Sequence, residues 1–235
     1  MVKNNKILGI VPARGGSKGV PGKNIIDVCG RPLISYSIET GNALVQSGAL
    51  ARCIVSTDSV EIANMAKQWQ ADIPFMRPDE HATDTAKAIS YVVHALDTLE
   101  AQGETYTHVM LLQPTSPIRN NAAIHEAVNR YLQGNTDSLI SAYPEDYINE
   151  LVMYLADSDG YLQPKSPIHN KGVRRQEHGS TFVRNGALYI TRVDYLRSTG
   201  QLVCDRPMLL EMRKVDSIDV DNFDDLELLR AVMCR

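Results

Sequence analysis

The sequence has no apolar run long enough to cross a bilayer; the stretch Ile7 to Val11 is too short even for a signal-peptide core. No targeting segment is visible, so the expected compartment is the cytoplasm. It has no CxxC pair. Its four cysteines, Cys29, Cys53, Cys204 and Cys234, are scattered and read as reduced, buried thiols rather than a disulfide framework or a zinc site. The six histidines show no HxxxH or HExxH spacing and read as surface or structural residues. Excess positive charge is missing too: the net charge of -4 argues against a broad nucleic-acid surface, while leaving room for a small, locally basic pocket. Internal repeats and low-complexity tracts are absent.

What is present is ordinary globular material, 43% hydrophobic and 22% charged, enough for one large domain or one domain with an excursion in 235 residues. Ile7–Val11 reads as a buried strand breaking into a Gly/Pro/Lys loop. Helical spacing follows from Pro32 to about Ser47, then a strand at Arg52–Ser56 and a helix over Val60–Gln70 with Asp58 or Ser59 as its cap. Ala86–Ala101 carries the next apolar stripe, His108–Leu112 the next strand, Asn121–Gln133 a helix and Ser138–Ala142 a strand. This alternation predicts an α/β fold with a mostly parallel sheet covered on both faces. Tyr143 to Phe182 breaks the pattern and reads as an excursion, a small β arm. Regular structure is expected again at Gly186–Ile190, with a strand at Ser217–Asp221 and a helix over Asp224–Met233.

The loop after the first strand is Val11-Pro-Ala-Arg-Gly-Gly-Ser-Lys-Gly-Val-Pro-Gly-Lys-Asn24. Its glycines let backbone N–H groups crowd round a phosphate, and Arg14, Lys18 and Lys23 balance the charge. A Walker A loop is excluded, because Asn24 follows Lys23 and Pro21 stands where spacing from Gly16 demands glycine; no GxGxxG is present either. The plainer alternative is a solvated turn. Its place directly after the first buried strand favours a phosphate site, since α/β sheets bind ligands at the carboxyl ends of their strands. Asp219 and Asp221, two apart on the expected strand, project from one face and suit a hard divalent cation; they also suit plain solvation or a cap for the last helix.

The segment Arg14-Gly-Gly-Ser-Lys-Gly-Val-Pro-Gly-Lys-Asn24 resembles the signature loop of the acylneuraminate cytidylyltransferases. Four more matches follow in order: Arg77-Pro78 with Asp84-Thr-Ala86; Leu111-Leu-Gln-Pro-Thr-Ser-Pro-Ile-Arg119; Arg174-Arg-Gln176 leading to Arg184-Asn-Gly-Ala-Leu-Tyr189; and Ser217-Ile-Asp-Val-Asp221. The likeness spans residues 7 to about 232. It implies a Rossmann-like three-layer nucleotide-diphosphosugar transferase fold: residues 1–142 as nucleotide-binding core, 143–182 as a dimerisation and sugar-site arm, and 183–235 completing the core.

The resemblance implies condensation of CTP with a nonulosonic acid, with Mg²⁺ held by Asp219 and Asp221, in a homodimer with shared sites. Arg14 and Lys23 are then expected to hold the triphosphate and neutralise the leaving pyrophosphate, with Lys18 assisting. Asn24 is similar to a family asparagine that contacts the nucleotide, and Arg77 to an arginine that reads the cytosine edge. Gln113 is similar to a glutamine facing the sugar, and Arg174 and Arg175 offer forked donors to the sugar carboxylate. Phe182 and Tyr189 are candidates to wall an acyl-sugar pocket. The motifs look more like those of neuraminate and legionaminate enzymes than of Kdo or pseudaminate ones. A non-catalytic nucleotide-sugar binding module is the alternative of a different class.

Overall fold

The computed structural model describes residues 5–145, 152–169 and 181–234. Strand β1 (Ile7–Pro12) sets the layers. Its period-2 alternation sends Ile7 and Val11 to one core cluster, and Leu8 and Ile10 to another on the opposite face. A strand buried on both sides needs cover on both sides. The first face is covered by α1 (Leu33–Gln46), α2 (Val60–Gln68) and α4 (Asn121–Gln133), through Ile34, Ile38, Ile62, Ala66, Ile124 and Val128. The second is covered by α3 (Ala88–Ala101) and α5 (Val193–Thr199), through Val92, Leu96, Leu99 and Leu196. The expected three layers are present.

Six strands form the main sheet: β10 (Met208–Glu211), β6 (Ser138–Glu145), β9 (Thr181–Arg192), β5 (His108–Leu112), β1 and β4 (Arg52–Ser56), in that spatial order. β1 runs parallel to both β4 and β5, and β10 parallel to β6; β9 alone runs against its two neighbours. The reversal follows from connectivity. β6 leads the chain out of the sheet as far as Glu145, and β9 brings it back from Thr181 along the same path. A two-stranded hairpin, β7 (Tyr154–Ala156) with β8 (Leu162–Pro164), lies in the excursion between them, as the polar composition there suggested. Before α1, β2 (Asp27–Val28) and β3 (Arg31–Pro32) form a small antiparallel turn.

A third core cluster matters most for the site. Val20 from the glycine-rich loop, Val28 and Leu33 pack with Ile218, Val220, Leu226 and Leu229. The last two belong to α6 (Phe223–Met233), whose start is fixed by an Asn222/Asp225 capping box. The loop after β1 is thereby pressed against the end of the chain.

Two expectations are corrected here. Ser217–Asp221 is not a strand of the sheet. It carries no regular secondary structure, and its Val220 N–H donates to the Thr115 carbonyl at 2.9 Å. Its apolar alternation is real, but Ile218 and Val220 serve the third cluster rather than a sheet face. The cysteines are also not all reduced, buried thiols. Cys29 and Cys234, both exposed, form a disulfide joining the β2–β3 turn to the end of α6, while Cys53 and Cys204 are free. Their sequence separation of 205 hides a proximity created by the third cluster and by Arg230 Nη2 donating to the Asp27 carbonyl at 2.5 Å.

Candidate active site

The carboxyl ends of β1 and β5 open into a cleft of about 310 Å³. Arg14, Lys18 and Lys23 line it from the glycine-rich loop, Arg77 from the segment after α2, Gln113 from the end of β5, and Asp221 from the end of the chain. With Asn24, seven residues proposed from sequence therefore meet in one place, although the chain separates them by up to 207 positions.

The loop is held by named contacts. Gly15 N–H donates to Asp58 Oδ1 at 3.0 Å, and the buried Asn24 donates through Nδ2 to the Arg14 carbonyl at 2.9 Å. Asn24 thus ties one side of the loop to the other while also bordering the cleft. Lys23 Nζ reaches the Val220 carbonyl at 2.6 Å and Asp221 Oδ1 at 3.2 Å. Gly19 lies so close to the final segment that a Cβ built on it would stand 2.0 Å from the Asp221 carbonyl oxygen.

Arg14 Nη1 and Lys18 Nζ both bind Asp84, at 2.9 Å to Oδ1 and 2.6 Å to Oδ2. Lys18, then Arg14, hold the Asp84 carboxyl below the usual carboxylate range. Sequence reasoning noticed the Asp84-Thr-Ala86 segment but not this contact, because the partners are 70 residues apart.

Arg77 is only 4% exposed. Its Nε and Nη2 bind Ser56 Oγ and the Ser56 carbonyl at 3.0 and 2.5 Å, and its guanidinium stacks 4.5 Å from the Tyr91 ring centre. Burial, above all, lowers its pKa. Two donors are spent inside the protein, so Arg77 braces the cleft wall as well as facing it.

Asp219 is not among the residues lining the cleft; it is exposed, but its carboxyl is crowded by protein. That loss of hydration raises its pKa; neighbouring Asp221 pushes the same way, and Thr115 and Ser116 hydroxyls oppose it. Ser116 Oγ donates to Asp219 Oδ1 at 3.2 Å. Gly186, at φ +75°, leaves the space that Asp219, Gln113 and Ser116 surround; a Cβ there would lie 3.7 to 3.9 Å from all three. Beneath them Arg119 donates to the carbonyls of Gln113 and Ala187 and to Ser37 Oγ, locking β5 to β9; desolvation pushes its pKa down to about 9.

Tyr189 packs against the second core cluster rather than standing free, and Phe182 is exposed at the start of β9. Arg174 and Arg175 lie outside the described residues. Thr115, Ser116, Arg119 and Tyr91 were not singled out from sequence. The first three do lie in the motif Leu111–Arg119, which is where their signal was.

A family model described as cytidylyltransferase matches residues 8–214. A pseudaminic acid cytidylyltransferase of Campylobacter jejuni is 38% identical over 66% of this chain and 65% of its own length. The CMP-N,N'-diacetyllegionaminic acid synthase of Legionella pneumophila is 32% identical over 97% of this chain and 96% of its own, an alignment that passes beyond Lys214. An N-acylneuraminate cytidylyltransferase of Escherichia coli is 31% identical over 95% of the chain, which spans 51% of that relative. The fold matches a CMP:2-keto-3-deoxy-manno-octonic acid synthetase solved with CTP, with TM-score 0.70, 18% identity, and coverage of 97% of this chain and 98% of that one. Apart from Ile7 of β1, the strands of the main sheet fall within the matched residues, and the chain belongs to the cytidylyltransferase family.

Proposed function

We propose that the chain transfers a cytidylyl group from CTP to the anomeric hydroxyl of a nonulosonic acid of the neuraminate or legionaminate type, releasing pyrophosphate. The observation that carries this reading is the gathering of Arg14, Lys18, Lys23, Gln113 and Asp221 around one cleft in a member of this family. The acceptor oxygen forms a bond to the α-phosphorus, and the bond from that phosphorus to the β-phosphate bridging oxygen breaks. Charge is the difficulty, since one anionic sugar must approach a polyanion while another departs. Positioned cations answer it without a covalent intermediate.

In this reading Arg14 and Lys18 hold the triphosphate, and Lys23 neutralises charge on the departing pyrophosphate. Gln113 orients the acceptor, whose carboxylate falls to Arg174 and Arg175 on sequence grounds. Mg²⁺ fits the carboxylates present. Asp219 and Asp221 supply two hard oxygen donors, and no group of three or more metal-ligating side chains is found among the described residues. Phosphate oxygens and water would complete the shell, as is usual for this ion. Bound there, it would supply Lewis-acid charge stabilisation at the phosphates.

A homodimer is part of the same proposal. Val152, Tyr154, Leu155, Tyr161 and Leu162 of the arm are exposed apolar residues, which supports an arm that packs against a second copy. We place the enzyme in the cytoplasm, where CTP is made; no helix among the described residues is long and apolar enough to cross a membrane. The test is pyrophosphate release with CTP, Mg²⁺ and a panel of neuraminic, legionaminic, pseudaminic and Kdo acceptors. Turnover with a neuraminate or legionaminate acceptor is expected. Silence across the panel contradicts the reading.

A further inference from the structure

We propose that Asp84 is an internal competitor for the phosphate-binding cations, weakening the hold of the cleft on a pyrophosphate group while leaving a nucleoside monophosphate nearly unaffected. The proposal rests on the reading of Arg14 and Lys18 as triphosphate-binding residues.

The geometry of the contact is that of an anion in a cationic fork. One carboxylate oxygen meets Arg14 at 2.9 Å and the other meets Lys18 at 2.6 Å, so Asp84 bridges the two cations as a phosphate group would. Arg14 and Lys18 both border the cleft, and Asp84 approaches them from a separate segment. That segment is a short turn, closed by Ala86 N–H donating to the Thr83 carbonyl at 3.2 Å, with Thr83, Asp84 and Thr85 all exposed. It is flanked by buried Arg77 on one side and by the start of α3 at Ala88 on the other. Exposed ion pairs of this kind are individually weak, so a stronger anion at Arg14 and Lys18 can displace the Asp84 carboxylate.

Charge then decides the outcome. The carboxylate brings a single negative charge to two cations. A pyrophosphate group brings more charge and more acceptor oxygens, and displaces it. A monophosphate held at the α position leaves Asp84 in place. When pyrophosphate departs after transfer, Asp84 returns to Arg14 and Lys18 and speeds release of the leaving group.

The experiment is calorimetric titration of inorganic pyrophosphate, and separately of CMP, at fixed ionic strength into wild type, Asp84→Asn, Asp84→Ser and the double variant Arg14→Ala/Lys18→Ala. Thermal melts check that each variant is folded. Both Asp84 variants are expected to bind pyrophosphate roughly three- to tenfold tighter, the scale of two exposed ion pairs, with CMP changing less than about twofold. If the double variant weakens pyrophosphate while the Asp84 variants bind it no tighter, the competitor proposal is overturned and the phosphate reading stands. Equal tightening of CMP overturns the distinction between pyrophosphate and a monophosphate. If the double variant leaves pyrophosphate affinity unchanged, the phosphate reading itself fails, and this proposal with it.

Discussion

Gly19 and Asp221 touch through their backbones: any Cβ at position 19 would stand 2.0 Å from the Asp221 carbonyl oxygen. The glycine-rich loop and the aspartate segment are thus seated on one another, and Lys23 latches them from the other side through Val220 and Asp221. A backbone atom cannot be brushed aside like a flexible side-chain tip. Gly19→Ala is therefore expected to destabilise the fold by about 1–3 kcal/mol. Because it displaces both halves of the cleft together, it should lower kcat/KM for CTP on the order of 100-fold. Steady-state kinetics beside a urea melt checks both numbers; wild-type kinetics would show that the loop does not need this seat.

Arg77 gives a test that separates bracing from base reading. Arg77→Lys keeps a cation but loses the two-donor fork on Ser56 and the stacking on Tyr91. The expected loss is about 1–3 kcal/mol of stability, because Ser56 is fully buried and its carbonyl loses a partner. A residue that only read the cytosine edge would raise KM for CTP and leave the urea midpoint where it was.

The Cys29–Cys234 bond is directly countable. Denatured, non-reduced protein should present two titratable thiols, Cys53 and Cys204, and four after reduction. Cys234→Ser should cost about 2–4 kcal/mol under non-reducing conditions, since the bond closes most of the chain into one loop. Four thiols before reduction would remove the disulfide from the account.

His94 supplies a pH dependence with a fixed sign. Its pKa is lowered, first by desolvation and then by His81 and Arg77; the His81 ring lies 5.2 Å away and Phe75 packs edge-on at 4.9 Å. Asp97 and Glu80 act weakly in the opposite direction. Below the ordinary value of 6.5 the unfolded chain takes up this proton before the folded one does. Stability contributed here is present above 6.5 and is lost as pH falls from 6.5 toward the lowered folded value. Between pH 7.5 and 5.5, His94→Gln should lose less of its urea midpoint than wild type; an identical loss in both proteins argues against this histidine as a source.

Where local chemistry dictates structure, the sequence was legible. The expected strand Arg52–Ser56 and helix Asn121–Gln133 coincide with β4 and α4, because short runs of apolar periodicity are local signals. The glycine-rich loop, Gln113 and Asp221, expected in one site from the family resemblance, line one cleft, whereas Asp219 is not among the residues that line it. Long-range consequences were not legible. Ser217–Asp221 alternates like a strand, yet its apolar residues answer to Val20 and α6, which are contacts no spacing rule contains. The short edge strand Met208–Glu211 and the seven-residue α5 are too brief to carry a period. Asp84 stood in a quoted motif, but its meaning lay in Arg14 and Lys18, 70 and 66 positions earlier.

The central claim is transfer of the cytidylyl group itself, and phosphorus NMR follows it most directly. Protein, CTP, Mg²⁺ and a neuraminate or legionaminate acceptor are incubated together and the spectrum is read over time. A new phosphodiester resonance is expected to grow in equal amount with pyrophosphate, and neither signal is expected when the acceptor is omitted. Loss of CTP to CMP without a phosphodiester, or a spectrum that does not change with any acceptor of this class, would contradict it.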